Sequence, residues 1–377
     1  MNFVFVCSSL EEGRDGVGDY TRRLAAELIK RGNHAAILSV NDKYVDEIFA
    51  DIQQSDGVDI NVMRMPSFFS AKERLVYAKK WINQYDPEWL SLQFVPFGFH
   101  PKGLQVGLSS FLLSLSAGRN WHIMFHELWV GMAVEESKKL YWWGQIQRYL
   151  IKSLIIKLRP VIIHTQTRLY QSHLNKLGFK AGYLPLFTNI PAGNEKINHQ
   201  FKKNISSLNE DKISFVVFGT IHSGAPVNEL TKEIVSYSRK NNIPVVFTFI
   251  GRCGPEQDRW AVALTAEGLK VEMLGELPAA HISEILLNAT IGVSATALAV
   301  IEKSGSVAAM LGHGLPVLCV SKPWHPRGMP KQQIPAGIVE YRIGDFEAIM
   351  TNRTDIPYVN NVSDIAIELE KSLSKFH

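Results

Sequence analysis

The sequence predicts an α/β protein made of two doubly wound domains, each with a parallel sheet covered by helices on both faces. Three observations lead to this prediction. The chain has 377 residues, which is too long for one ordinary core and favours two domains of roughly 200 residues or fewer. Short apolar segments alternate with amphipathic ones, as in strand-helix-strand units. This alternation stops near Ile190, gives way to a polar run, and starts again at Ile213.

The composition is that of a folded protein, because 46% of the residues are hydrophobic and 20% are charged. The net charge of +4 neither requires nucleic acid nor excludes anionic ligands, and we predict no nucleic-acid partner. Cys7, Cys253 and Cys319 lie far apart in no metal or redox spacing, which favours a reducing compartment and predicts no metal site. No apolar stretch reaches the roughly 18 to 20 residues of a spanning helix, so we expect a cytoplasmic protein.

The first predicted unit is a strand at residues 3–6, a loop with Gly16 and Gly18, and a helix from Tyr20 that stops at Gly32. The next predicted elements are strands at 37–40, 60–65, 89–92, 122–125 and 161–165, with helices at 71–83 and 138–156. This first domain is expected to span residues 1–190.

A linker is predicted at 191–211, because the sequence there is rich in proline, glycine and polar residues. The second domain, 212–361, is predicted to contain strands at 213–218, 245–250, 271–274, 291–293, 317–320 and 337–341, with helices at 228–240, 260–266, 279–287 and 307–311. The segment 362–377 is expected to form a helix that packs back on the first domain.

The strongest candidate site follows the strand at 291–293. Glu302 precedes a small-residue loop, Ser304, Gly305 and Ser306, and a short helix that opens at Val307. A helix N-terminus presents free N–H groups, and glycine allows a ligand to come close, so this pattern predicts a phosphate site. The structural alternative is an ordinary strand-to-helix turn with serine caps.

Other candidates lie where predicted parallel strands end, since ligands of such sheets bind at their carboxyl ends. The amides of Gly16, Val17 and Gly18 would reach an anion, although the three-glycine dinucleotide fingerprint is incomplete and a plain tight turn is the alternative. Gly219 and Thr220 follow the strand at 213–218 and would hold a phosphate. Arg252 follows the next strand and would add a cation, unless it is a solvated loop arginine.

In the first domain, His126 and Glu127 follow the strand at 122–125, and Gln93 follows the strand at 89–92. A neutral imidazole would position a hydroxyl or stabilise charge, and the neighbouring carboxylate and amide would orient an acceptor. The helix at 138–156 carries two tryptophans and several lysines. This pattern suits the surface of an anionic membrane, and the alternative is a surface helix whose apolar stripe faces the core.

Several short motifs together resemble a known family. They are, in order, Asp15-Gly16-Val17-Gly18-Asp19-Tyr20, His126-Glu127-Leu128-Trp129, Tyr183-Leu184-Pro185-Leu186, Phe218-Gly219, Phe249-Ile250-Gly251-Arg252, Leu274-Gly275-Glu276-Leu277, and Glu302 followed by Gly314-Leu315-Pro316-Val317. In this order they resemble the retaining glycosyltransferases of family four. The resemblance spans most of the chain and implies a GT-B fold, in which two Rossmann-like domains face each other across a cleft.

The resemblance also implies transfer of a sugar from a nucleotide-diphosphate donor, with retention of configuration and without a metal ion or other cofactor. Glu302 would be the acid that meets the donor sugar, and residues 304–307 would supply amides over the diphosphate. Residues 16–18 would face that diphosphate, and His126 would lie near the reacting sugar. The first domain would bind the acceptor and the second the nucleotide sugar.

Two features depart from the family pattern. A second glutamate, which usually holds the ribose shortly after the first, is replaced by the sequence Val307-Ala308-Ala309. The usual arginine and lysine after the strand at 213–218 are absent, and His222 and Ala225 stand in that region. Both differences affect the expected binding of the diphosphate and the choice of nucleotide.

We therefore predict a glycosyltransferase that moves a sugar to a hydroxyl of a saccharide or small-molecule acceptor. Alternatives are a non-catalytic binding or regulatory subunit, a phosphorylase or epimerase of related fold, and an enzyme acting on lipid-linked glycans in peripheral contact with the inner face of the membrane.

Overall fold

A computed structural model of the chain describes residues 1–191, 212–330, 333–351 and 361–376. The chain forms two compact units. The N-terminal unit contains Met1–Pro185, Pro326–Met329 and Val362–His377, and the C-terminal unit contains Leu186–His325 and Pro330–Asn361. The predicted linker at 191–211 lies, apart from Pro191, outside the described residues.

The N-terminal unit is built on a sheet of eight strands with the spatial order β3-β4-β2-β1-β5-β6-β7-β8. The strands are β1 (Asn2–Cys7), β2 (His34–Asp42), β3 (Phe49–Ser55), β4 (Val58–Pro66), β5 (Trp89–Phe94), β6 (Asn120–Phe125), β7 (Ile162–Thr165) and β8 (Gly182–Tyr183). All neighbours are parallel except the edge strand β3, which is antiparallel to β4. The central strands β1 and β5 are almost wholly buried, as expected for a parallel sheet covered on both faces.

Six helices within residues 1–185 accompany this sheet. They are α1 (Gly16–Lys30), α2 (Ala71–Tyr85), α3 (Pro96–Phe99), α4 (Leu108–Ser116), α5 (Lys138–Leu158) and α6 (Arg168–Lys176). The short helices α3, α4 and α6 are absent from the prediction, because their apolar residues extend over too few turns to show a helical period.

Helix α1 begins earlier than predicted. The residues expected to form a loop are its first turn, because the Asp15 side chain caps the helix and accepts hydrogen bonds from the N–H groups of Val17 and Gly18, both at 2.9 Å. Gly18 has a packing role, since a Cβ at this position would lie 2.6 Å from the carbonyl oxygen of Ser9. The glycine therefore allows the helix to lie against the loop after β1.

The hairpin of β3 and β4 is also missing from the prediction. Its turn is Asp56-Gly57, and both residues have positive φ, 48° and 75°. Asp-Gly is a strong sequence signal for a two-residue hairpin turn, in which both residues have positive φ. Most of β3 is exposed, however, so the strand lacks the buried apolar run that identifies the others.

The C-terminal unit has six parallel strands in the order β11-β10-β9-β12-β13-β14. The strands are β9 (Ile213–Phe218), β10 (Val245–Ile250), β11 (Lys270–Gly275), β12 (Ile291–Ser294), β13 (Val317–Cys319) and β14 (Ile338–Glu340). The helices are α7 (Val227–Asn241), α8 (Glu256–Ala266), α9 (Ala279–Asn288), α10 (Gly305–Gly312) and α11 (Phe346–Thr351), and a 3₁₀ helix (Leu298–Lys303) precedes α10.

Two hydrophobic clusters cover the two faces of this second sheet. Successive residues of β9 alternate between them: Phe215 and Val217 belong to one cluster and Val216 to the other. Such alternation requires helices on both faces. The predicted α/β class with two doubly wound sheets is confirmed.

The last helix, α12 (Val362–Leu373), packs on α1 in the N-terminal unit. Ile365, Ala366, Leu369 and Leu373 are buried, and Glu370 forms an ion pair with Arg31 at 2.8 Å. All three cysteines of the chain are buried and free. Within the described residues, none of the helices combines the length and the apolar character needed to cross a membrane.

Candidate functional site

In the C-terminal unit, α10 lies directly over β12. A Cβ on Gly292 of β12 would collide with the sulfur of Met310, and residues 307–310 of the helix are buried. The Ser304 side chain caps α10 by accepting a hydrogen bond from the N–H of Val307 at 3.4 Å, and its Oγ is 3.1 Å from that of Ser306. In the described part of the chain no hydrogen bond uses the N–H groups of Gly305 and Ser306. These two amides are the ones that an anion would meet.

The end of β9 meets this helix N-terminus. Gly219 has φ of +75°, and a Cβ there would lie 3.7 Å from the Cβ of Ser306. The N–H of Gly219 donates to the Ile250 carbonyl at 3.0 Å, which holds the turn next to the end of β10. The exposed Thr220 follows. The structure thus brings together Gly219, Ser304, Gly305 and Ser306, which are far apart in sequence.

Arg252 is engaged with a carboxylate. Its guanidinium donates two hydrogen bonds of 2.8 Å to Glu276, and both side chains are exposed. An exposed pair of this type contributes about 0 to 1 kcal/mol. A phosphate could replace the carboxylate with little loss of stability.

Two lysines that the sequence analysis missed lie beside the loop after β9. The pKa of His222 is lowered by partial desolvation and by the nearby charges of Lys303 and Lys322. The side chain of Lys322 also lies over Gly224, with its Cδ 3.1 Å from the position of a Cβ there. Two cations thus lie near the loop after β9, contributed by residues about 80 and 100 positions after His222, a proximity that only the fold reveals.

Glu302 lies in the 3₁₀ helix between β12 and α10 and is half-buried. Its neighbour Ile301 is wholly buried in the cluster that contains Val307 and Met310. The backbone at Glu302 is therefore held by the core on one side, and Glu302 precedes the capping residue Ser304 by two positions.

The N-terminal unit holds His126 in a buried polar setting. The ring is 3% exposed, with Nε2 2.9 Å from the amide of Gln93, Nδ1 3.0 Å from the amide of Gln166, and the Tyr20 ring edge-on at 4.9 Å. Burial lowers the pKa of His126 to about 4. The ring is therefore neutral at pH 7 and donates from one nitrogen only, although both nitrogens face an amide Oε1; the other contact becomes a hydrogen bond when that glutamine amide turns its NH₂ group to the ring.

The hydrogen bonds continue through the sheet from Gln93. Its Nε2 donates to Ser91 Oγ at 2.8 Å, Ser91 lies 2.8 Å from Nδ1 of His122, and Nε2 of His122 lies 3.1 Å from Nδ1 of His164. Burial lowers the pKa of both His122 and His164. Within the row from Gln166 to His164, the direction of one bond is fixed by its atoms, that from the Gln93 NH₂ group to Ser91 Oγ. We call these six buried residues the histidine row.

The histidine row limits what Gln93 can do. Both ends of its amide are used, on His126 and on Ser91, and the side chain is 1% exposed. A direct bond from Gln93 to an acceptor would break one of these contacts, so the arrangement favours a role in orienting His126. Glu127, the other candidate acceptor residue, is half-buried next to it.

The N-terminus of α1 is a weaker anion site than the sequence suggests. The Asp15 carboxylate already receives the N–H groups of Val17 and Gly18, which leaves that of Gly16 as the unused amide of the three. Among the described residues, no group of three or more histidine, cysteine or acidic side chains is arranged to hold a metal ion.

The two glycines of α1 give a matched test of packing. Gly18→Ala is expected to destabilise the N-terminal unit by about 1 to 3 kcal/mol, because the new methyl group would overlap the Ser9 carbonyl. Gly16→Ala meets no atom within 4 Å and is expected to be neutral or stabilising by up to about 1 kcal/mol. Urea unfolding followed by tryptophan fluorescence measures both. Equal midpoints for the two variants would contradict the close packing at Gly18.

Several solved structures are similar to this chain in fold. No family model matches the chain, and no curated protein matches it. The sucrose-phosphate synthase of Thermosynechococcus elongatus aligns over 100% of this chain and 99% of its own, with a TM-score of 0.64 and 13% identity. HepE of Anabaena, in complex with UDP and glucose, aligns over 100% of both chains with a TM-score of 0.59 and 14% identity.

A third solved structure is the UDP-GlcNAc 2-epimerase of Neisseria meningitidis bound to UDP-GlcNAc, which covers 100% of both chains with a TM-score of 0.55 and 11% identity. At these identities the likeness establishes the fold, and the predicted GT-B class is confirmed. Membership of family four stays a prediction.

Proposed function

We propose that the protein is a glycosyltransferase whose C-terminal unit binds a nucleotide-diphosphate sugar. The observation that carries this proposal is the convergence at the end of β9: Gly219 packs on Ser306, the Gly305 and Ser306 amides are unused, and Lys303 and Lys322 lie beside the adjoining loop. Amides at a helix N-terminus together with two cations suit a diphosphate.

Sugar transfer from such a donor requires stabilisation of the negative charge that develops on the leaving diphosphate. Preorganised amides and cations can supply this without a metal ion or other cofactor. The lysines compensate for the basic pair that the sequence lacks after β9. Glu302 would then meet the donor sugar, and retention of configuration is what the family resemblance implies.

The likeness to known structures supports a uridine nucleotide as the donor. HepE is described in complex with UDP and glucose, and the Neisseria epimerase is bound to UDP-GlcNAc. Because this chain has the same fold, we propose a UDP-sugar as its donor. The absence of the second glutamate at residues 307–309 implies that the ribose is held differently here.

We propose that the acceptor, a saccharide or a small molecule, binds to the N-terminal unit. Both ring nitrogens of the neutral His126 already face glutamine amides, so it would bond an acceptor hydroxyl by exchanging one of these contacts, and it would bring no charge to that hydroxyl. An aromatic acceptor contact is available from Phe97, which is 44% exposed on α3.

The test is nucleotide binding by thermal shift and calorimetry. UDP at 100 times its Kd is expected to stabilise the protein by about 2.7 kcal/mol. Lys322→Gln is expected to weaken UDP binding by about 1.5 to 3 kcal/mol, more than tenfold in Kd, because a charge-assisted hydrogen bond is lost. Lys232→Gln, an exposed lysine on α7, is the control and should leave Kd unchanged.

Three outcomes would contradict parts of the proposal. Stabilisation by no nucleotide would favour the non-catalytic alternative, and an unchanged Kd for Lys322→Gln would place the diphosphate elsewhere. Incubation with UDP-sugars that yields an epimer instead of free UDP and a transferred sugar would identify an epimerase.

A further inference from the structure

The outer face of α5 carries an apolar stripe that the core does not use. Trp142, Ile146, Tyr149 and Ile156 are 67%, 47%, 71% and 54% exposed. At about 100° per residue these four side chains lie within an arc of about 80°. The opposite face is buried through Ile151, Leu154, Ile155 and Leu158. The buried face already packs on the core. A core-facing apolar stripe, the alternative considered from the sequence, therefore does not explain the exposed stripe on the other side of the helix.

The charged side chains that flank the stripe within α5 are all cations. Lys138, Lys139, Lys152 and Lys157 are exposed on either side of it. There is no aspartate or glutamate between Lys138 and Arg159, and none in residues 101–125, which include the neighbouring helix α4. The face is therefore positive although the net charge of the whole chain is only +4, and the acids at its edges include Glu135 before α5 and Asp86, which pairs with Arg119.

The same surface continues onto α4. Val106, just before this helix, is 81% exposed, and Leu113 within it is 48% exposed. Leu113 and Ile156 line one surface depression together with Arg119, Lys157 and Arg159. Apolar side chains of two helices of the N-terminal unit thus lie beside the basic residues at the end of α5.

We infer that this face of α4 and α5 docks on an anionic lipid surface. Tryptophan and tyrosine rings suit the boundary between headgroups and acyl chains, and isoleucine and leucine would enter its apolar side. Lysine side chains can lay their methylene stems along the apolar layer while their ammonium groups reach the phosphates. Of the cations in the depression beside Leu113, Arg119 is paired with Asp86 at 3.0 Å, and Lys157 and Arg159 are placed to receive one headgroup phosphate.

The composition of this face favours lipid over other partners. Lysine is depleted in protein-protein interfaces, where arginine is the enriched cation, whereas four of the cations flanking the stripe are lysines. Trp142 and Tyr149 could stack on bases. The exposed isoleucines and leucine beside them offer bases no hydrogen bond, whereas they suit the apolar layer of a membrane. The inference goes beyond the proposed sugar transfer and does not depend on it.

Vesicle flotation tests the inference without any activity measurement. The full chain is expected to float with vesicles of phosphatidylglycerol and phosphatidylcholine at low salt, to be released at high salt, and to bind vesicles of phosphatidylcholine alone far more weakly. Since each basic residue near such a surface contributes about 1 kcal/mol, Lys152→Gln/Lys157→Gln should bind about 30-fold more weakly.

A matched control and a second variant complete the test. Lys232→Gln/Arg239→Gln removes two exposed cations from α7 in the C-terminal unit and should bind like the parent. Trp142→Ser/Tyr149→Ser keeps every charge and should bind anionic vesicles at least tenfold more weakly. That loss would show that the stripe inserts into the membrane in addition to the charge attraction.

Three results would overturn the inference. The first is no binding to anionic vesicles at low salt. The second is an equal loss of vesicle binding in the α5 and α7 charge variants, which would show that binding depends only on the net charge of the chain. The third is a concentration-dependent dimer that disappears in Trp142→Ser/Tyr149→Ser by light scattering, which would make the face an interface between two copies of the chain.

Discussion

Glu302→Gln is expected to lower sugar transfer by about 100- to 1,000-fold while leaving UDP binding and unfolding unchanged. The substitution keeps the size of the side chain and removes its charge next to the capped N-terminus of α10. Loss of one charged group that stabilises the transition state has an effect of this size. The neighbouring Ile301 anchors the backbone in the core, so the fold should not change.

The measurement is release of UDP from a UDP-sugar in the presence of acceptor, with UDP affinity measured in parallel. Glu267→Gln, an exposed acid at the end of α8, is the control for charge and should behave like the parent. Full activity of Glu302→Gln would sink the assignment of this residue. A parallel loss of UDP affinity would move its role from the sugar to the nucleotide.

Asp42→Asn is expected to destabilise the N-terminal unit by about 3 kcal/mol at pH 7, because it removes the buried one of the two carboxylates that pair with Arg64 and leaves Glu11 as the other. Asp42 is 0% exposed and pairs with Arg64 at 2.8 Å, and it also accepts the N–H groups of Leu10 and Tyr44. These contacts hold the loop after β1 that supports α1.

The same contacts make stability depend on pH. Desolvation alone would raise the pKa of Asp42, but the hydrogen bonds from Arg64, Leu10 and Tyr44 outweigh it, and the pKa is lowered from its usual 3.8. A carboxyl group with a lower pKa in the folded state stabilises the fold fully above that usual value. The contribution is lost as the pH falls through the folded pKa.

Urea unfolding between pH 7 and pH 2.5 measures this effect, with tryptophan fluorescence as the signal. Asp42→Asn should flatten the acid limb of the stability curve, whereas Asp56→Asn, which removes an exposed partner of Arg23, should change stability by less than about 1 kcal/mol. An acid limb as steep in Asp42→Asn as in the parent would show that other carboxyl groups carry it.

The strands were the most predictable part of the chain. Buried parallel strands are continuous apolar runs, so β1, β5, β9 and β10 could be located to within about two residues. The exposed edge strand β3 gave no such signal, and its Asp56-Gly57 turn was the available clue. Helix starts depend on single caps, which is why Asp15 shifted the beginning of α1 from Tyr20 to Gly16.

The candidate site was predictable only where its parts are contiguous. Ser304, Gly305 and Ser306 form one local pattern, and the fold places Gly219 on it as two strand ends would suggest. Lys303 and Lys322 were missed because their proximity to His222 depends on how three separate loops leave the sheet. Gln93 was expected to meet a ligand, whereas its burial and its bonds to His126 and Ser91 appear only in three dimensions.

The position of α12 has a consequence for how the chain folds during synthesis. The apolar face of α1 is made within the first 30 residues, but its covering helix is translated only after the entire C-terminal unit. Closing a loop of this length has an entropic cost that rises only slowly with size, so the delay matters more for rate than for final stability. A nascent N-terminal unit therefore exposes the surface that Ile365, Leu369 and Leu373 will cover, and we expect the emerging polypeptide to depend on chaperones until α12 leaves the ribosome.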